Sequence, residues 1–158
     1  MELSAGTAMI YIRQSFDQML AVVDRLGDPL VNERPLGEWT NAVAPLVIHC
    51  CGVAEFWLGH VALGRPSSRA RDDEFSQTAT VAQVHDLVAR TLATIEADLD
   101  QLDAGGGTDE GGRQFLPGGD VSDASAVLHV LEECYQHLGH VELAADALTK
   151  APPPPDRD

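Results

Sequence analysis

Positive charge is scarce in this sequence. Ten Lys and Arg residues face 25 Asp and Glu, giving a formal net charge of −15 at pH 7 and a pI near 4.5. Nucleic acids are bound by clustered Lys and Arg that neutralise phosphates, so no nucleic acid is expected as a partner. Such an acidic surface serves solubility. Cysteine is also scarce. Three residues, two of them adjacent (Cys50 and Cys51), make neither a disulfide framework nor a cysteine-type zinc finger, and they point to a reducing compartment. The chain opens without a basic, apolar leader. The most apolar stretch, 42–63, is long enough to span a bilayer but carries Pro45, His49, Glu55 and His60. It reads as a buried core helix, which predicts a cytoplasmic protein without a membrane partner.

Nothing reads as a strand, and no internal repeat is visible. Instead, four stretches carry apolar residues at the spacing of an amphipathic helix. The first runs from about Thr7 to Leu26, with Ile12, Phe16, Met19, Val23 and Leu26 on one stripe, and is stopped by Gly27, Asp28 and Pro29. The second follows a Thr40–Asn41 cap and runs to Leu63, stopped by Gly64. It is apolar around most of its circumference and should be the central helix. The third begins at Thr80, spaced from Gln83 as a capping box, and carries Val84, Val88, Leu92, Ile95 and Leu99. The fourth runs from Ser122 or Asp123 to about Leu148 through Val127, Leu131, Cys134, Leu138, Val141 and Ala145. With 158 residues and 44% hydrophobic content, the expectation is an all-α four-helix bundle over 1–150. The glycine-rich link Asp103–Val121 is expected to be mobile. A proline-rich tail over 151–158 is expected to be disordered.

The six histidines carry the chemistry. His49 sits in the middle of the central helix. His129, Glu133, His137 and His140 follow one another on the fourth. At 100° per residue from Cys134, which lies on the core stripe, His137 falls at about 60° and Glu133 at about 100° to one side. His140 and His129 fall at about 120° and about 140°, further toward solvent. Glu133 and His137, four apart on one face, are thus the pair best placed to point inward. With His49 they make a His₂Glu set that leaves zinc an open position. A lone buried histidine is more often a core residue, a Glu/His pair is more often a surface pair, and His129 or His140 remain alternatives. His60, about 16 Å along the helix from His49, is too far to share an ion. Cys50, Cys51 and Cys134 read as small core residues.

Several of these runs resemble the DinB-like superfamily. They are Asn41 to His49 with Gly52, Phe56, Trp57 and His60; Gly64-Arg65-Pro66; Arg71 to Phe75; and Leu131 to His140. The likeness is strongest to the branch of mycothiol-dependent maleylpyruvate isomerase domains and mycothiol S-transferases. The resemblance implies an up-down-down-up bundle, often a homodimer. It also implies a metal, usually zinc, on His49, Glu133 and His137. The function it implies is a metal-dependent thiol S-transferase or isomerase-type enzyme, with mycothiol or a similar low-molecular-weight thiol and a small electrophile as co-substrates. Nickel is an alternative metal. Arg65, Arg69 and Arg71 could attract an anionic thiol or substrate, although Asp72, Asp73 and Glu74 beside them also fit a plain solvated loop. A metal-dependent hydrolase and a non-catalytic metal-binding or interaction bundle are the rival functions.

Overall fold

The computed structural model describes residues 3–108 and 122–150. Most of the Asp103–Val121 link and the whole tail over 151–158 therefore lie outside the described residues. Helix α1 spans Ala5–Leu30, α2 Val43–Ala54, α3 Arg71–Glu74, α4 Val81–Asp103 and α5 Asp123–Thr149. A short 3₁₀ turn, Gly37–Trp39, precedes α2, and α2 continues directly as a π-helical segment, Glu55–Ala62. No strand occurs among the described residues. The chain is an all-α bundle of four long helices, with one short extra turn, α3, inside a segment that reads from sequence as an irregular link.

The helix ends follow elementary capping chemistry. Ser4 accepts from the Thr7 N–H at 3.1 Å and Ser122 from the Ser125 N–H at 3.1 Å. Thr80 and Gln83 form the expected reciprocal box: Thr80 Oγ1 accepts from Gln83 N at 3.2 Å, and Gln83 Oε1 from Thr80 N at 2.8 Å. Gly27 takes φ 66°, ψ 176° and breaks the α1 helix where Gly27-Asp28-Pro29 predicts a stop. The Thr40–Asn41 cap is corrected. The N-cap is Ala42, which has no side-chain oxygen, and Val31 C=O accepts from Ala44 N at 2.9 Å in its place. Thr40 Oγ1 instead accepts from Leu36 N at 3.0 Å and closes the preceding turn.

Five contacts fix the topology. Asp28, at the end of α1, accepts from Val81 N at the start of α4, and Val31 C=O meets the start of α2. Arg25 on α1 lies 3.6 Å from Asp146 near the end of α5. His49 packs on His137 while Trp57 packs on His129, so α2 and α5 are antiparallel. Helices α1 and α5 therefore run one way and α2 and α4 the other, which is the up-down-down-up order.

The core is the set of stripes read from the sequence. Ile12, Phe16, Met19, Val23 and Leu26 of α1 are buried, as are Val84, Val88, Leu92, Ile95 and Leu99 of α4 and Val127, Cys134, Leu138, Val141 and Ala145 of α5. Residues 42–51 are buried without exception, as befits a central helix. Burying a side chain the size of Phe16 or Leu58 stabilises by about 2–3 kcal/mol. Because α2 and α4 run in the same direction, segment 64–80 must return along the bundle before α4 can begin. That crossover carries Arg69, Glu74 and Phe75 back to the level of His49.

Candidate metal centre

His49 from α2 and Glu133 and His137 from α5 meet between the two helices, with one ligand atom from each lying within 4.8 Å of the other two. His49 Nε2 is 3.7 Å and His137 Nε2 is 3.5 Å from Glu133 Oε2. Tetrahedral zinc with bonds near 2.0–2.1 Å separates its ligand atoms by about 3.4 Å, so these spacings suit one small cation. A second observation agrees. His49 Nε2 is buried and has no hydrogen-bond partner among the described residues. Such an orphaned nitrogen is costly unless something occupies its lone pair.

The crossover determines which nitrogen that is. Glu74 Oε2 accepts from His49 Nδ1 at 2.7 Å, which places the proton on Nδ1 and leaves Nε2 as the donor atom facing Glu133. Arg69 in turn grips Glu74, Nε to Oε1 at 2.6 Å and Nη2 to Oε2 at 2.9 Å. Both partners are nearly out of solvent, at 14% and 8% side-chain exposure. Burial pushes the Glu74 carboxyl up, but the hydrogen bonds from Arg69 and His49 outweigh it and hold the group below its ordinary range. Phe75 covers one face of the His49 ring at 4.6 Å between centroids, and His137 lies edge-on at 4.7 Å.

Burial lowers the His137 pKa and neighbouring His49 lowers it further, against a smaller opposing effect of Glu133. The neutral imidazole, the form that ligates metals, is thereby favoured. His137 Nδ1 lies 3.3 Å from Nδ1 of exposed His140, so the second ligand also has a partner on its other nitrogen. His140 is at the surface as the helical angles predict. His129 departs from that expectation. Its side chain is only 16% exposed, because the indole of Trp57 packs edge-on against it at 4.6 Å. His60 stays away from the cluster and donates from Nδ1 to the Arg65 carbonyl at 2.6 Å.

The three arginines are differently placed. Arg65 forms a bidentate pair with Asp98, the second bond measuring 2.7 Å, and Asp98 is 1% exposed. Arg69 holds Glu74. Arg71 is exposed, meets Asp72 at 3.6 Å and lies 5.6 Å from the Phe75 ring centroid. Two of the three thus serve buried carboxylates rather than a solvated loop. Two glycines make room for these pairs. A Cβ on Gly52 would collide with the Glu74 carboxylate, and one on Gly59 with the Arg65 guanidinium. The cysteines are buried. A hydrogen bond with Cys134, then burial, raises the Cys50 thiol well above its usual pKa, and burial raises Cys51. Both stay protonated and poorly nucleophilic.

Comparison with known proteins adds one finding. The family model of the DinB superfamily matches residues 11–141, a stretch reaching from the first turns of α1 to past His137 and His140. No curated protein and no solved structure matches the chain. A match over most of the chain, on an all-α bundle with this His–Glu–His cluster, is decisive: the chain belongs to the DinB superfamily.

Proposed function

We propose that the protein is a metal-dependent thiol S-transferase that joins a low-molecular-weight thiol such as mycothiol to a small electrophile. The observation that carries this reading is the convergence of His49 Nε2, Glu133 and His137, with His49 Nε2 buried and unpartnered. Three protein donors within 4.8 Å of one another would leave a four-coordinate cation one position for a reactant. A divalent cation bound there, zinc or nickel, would supply positive charge that stabilises the deprotonated form of a thiol.

The chain's own residues contribute orientation and exclusion of water. Glu74 keeps the proton on His49 Nδ1, and Arg69 keeps Glu74 ionised beside it. Glu133, the one carboxylate of the set, offsets part of the cation's charge. Phe75 stacks against the His49 ring and shields that side of the centre from water. Arg71 is the arginine best placed to draw an anionic thiol, since it is exposed and has no buried carboxylate to serve.

The test is conjugation of a generic electrophile by the metal-loaded protein with mycothiol, against glutathione and cysteine. Turnover that needs both metal and thiol supports the proposal. No conjugation with any thiol rejects it, and turnover of an ester or amide without thiol replaces it with a hydrolase.

A further inference from the structure

Clefts large enough to hold a small molecule occur at several places among the described residues. One of about 580 Å³ lies between α1 and α4, beside Met9, Ile10, Arg13 and Glu96, on the two helices that supply no metal ligand. A second, of about 360 Å³, is lined by Glu55, His60, Arg65 and Arg69. The charges of its two arginines are already committed to Asp98 and Glu74. A third, of about 450 Å³, is of another kind. Leu36, Trp39, Leu46, His140, Leu143 and Ala147 line it, and none of its lining residues is Asp, Glu, Lys or Arg. In a chain that is 22% charged with a net charge of −15, an uncharged concavity selects an uncharged, apolar occupant.

Its position ties it to the candidate centre. Leu46 precedes His49 by three residues on α2, and His140 follows His137 by three on α5, each about 4.5 Å along its helix axis. His140 belongs to both, forming part of the wall while its Nδ1 lies 3.3 Å from His137 Nδ1. Leu36, Trp39 and Leu143 are 67%, 92% and 70% exposed. Scattered singly, such residues need no explanation, but here they gather on one concavity. Its volume falls in the range of small-molecule sites, which are apolar with few polar groups.

We propose that this cavity receives the apolar part, an aryl or alkyl group, of the electrophile that reacts at the His49–Glu133–His137 centre. The inference rests on the transferase reading and adds the class of substrate. The polar, reactive end would face His137, and the apolar end would lie against Trp39, Leu46 and Leu143.

Hydroxamates separate the two claims, because the head chelates metal and the tail length can be varied. Zinc-loaded full-length protein is titrated calorimetrically with alkyl hydroxamates from acetohydroxamate to octanohydroxamate. The proposal expects affinity to rise about fourfold per methylene, the gain of about 0.8 kcal/mol for each CH₂ buried, until the cavity is full. Ala147→Phe, at an exposed position, should flatten the series while leaving acetohydroxamate binding unchanged. Trp39→Ala should reduce the slope without filling the cavity. A flat series in the wild type, with acetohydroxamate still bound, overturns the cavity proposal and leaves the metal reading intact. A flat series with concentration-dependent dimerisation, abolished by Leu143→Asp, also overturns it and makes this face an interface between copies. Failure of acetohydroxamate to bind counts against the metal reading instead. The cavity claim is then read with n-alkanols on the metal-free protein: the same gain per methylene supports it, and none overturns it.

Discussion

Replacing Glu74 by Gln is the most informative single change outside the three candidate ligands. The carboxylate accepts three hydrogen bonds: from Arg69 Nε at 2.6 Å, Arg69 Nη2 at 2.9 Å and His49 Nδ1 at 2.7 Å. Gln keeps the shape but has one acceptor oxygen and an amide that donates. At least one of the three donors must then face another donor, and the buried guanidinium loses its counter-charge. Breaking a buried pair from one side costs about 3–5 kcal/mol, and leaving a charged hydrogen bond unmade about 1.5–3 kcal/mol. A loss near 3 kcal/mol is expected for metal-free protein, read by urea denaturation. Metal affinity should fall as well, because His49 is no longer held in the tautomer that presents Nε2. Loss of such an outer partner lowers affinity about 10–100-fold, measurable by competition with a chelator of known affinity. If Glu74→Gln folds with wild-type stability and keeps wild-type metal affinity, the Arg69–Glu74–His49 relay has no orienting role and the reasoning fails.

Other predictions follow from the same geometry. Gly52→Ala places a Cβ against the Glu74 carboxylate and should cost about 1–3 kcal/mol in a urea melt, with a parallel drop in metal affinity; an unchanged midpoint would contradict the packing. Because the folded-state pKa of Glu74 lies below its ordinary value, the stability it contributes is complete above the unfolded carboxylate pKa, near 4.3. That contribution should be lost as pH falls through the lower folded value. Glu74→Gln should therefore remove part of the acid-side slope of stability against pH, and an identical slope would refute the assignment. Asp98→Ala removes the buried partner of Arg65, whose own side chain is 42% exposed and can turn to water; it should destabilise by about 1.5 kcal/mol while leaving metal stoichiometry unchanged, as measured by denaturation alongside elemental analysis.

The helices were legible because burial on one face imposes a period, and Phe16, Val23, Val88, Leu99, Cys134 and Val141 all keep to it. The Thr80–Gln83 box was legible for a similar reason, since its chemistry is local. Ala42 was not, because a neighbouring backbone carbonyl, that of Val31, replaces the side-chain cap that Thr40 and Asn41 advertise. The angular sorting of α5 brought Glu133 and His137 toward α2 and left His140 at the surface. It placed His129 too far outward, because the partner of His129 is Trp57, in the π-helical stretch beyond α2. Arg69 and Glu74 stood out in the sequence only as a possible anion attractor and its acidic neighbour, and their joint hold on His49 went unread. In sequence Glu74 is the third acid of a run of three, and only the return path forced by parallel α2 and α4 turns it inward. Gly52 and Gly59 were unmarked for the same reason: the atoms they make room for come from elsewhere in the chain.

Metal content tests the central claim most directly. Untagged protein and its His49→Ala and His137→Ala variants would be purified without chelator, reconstituted with zinc or nickel, desalted and analysed by elemental mass spectrometry. The account predicts about one ion per wild-type chain, held by three donors and an open position, and its loss from both variants while all three remain helical. No retained metal in the wild type after reconstitution, or equal retention in the variants, would contradict it.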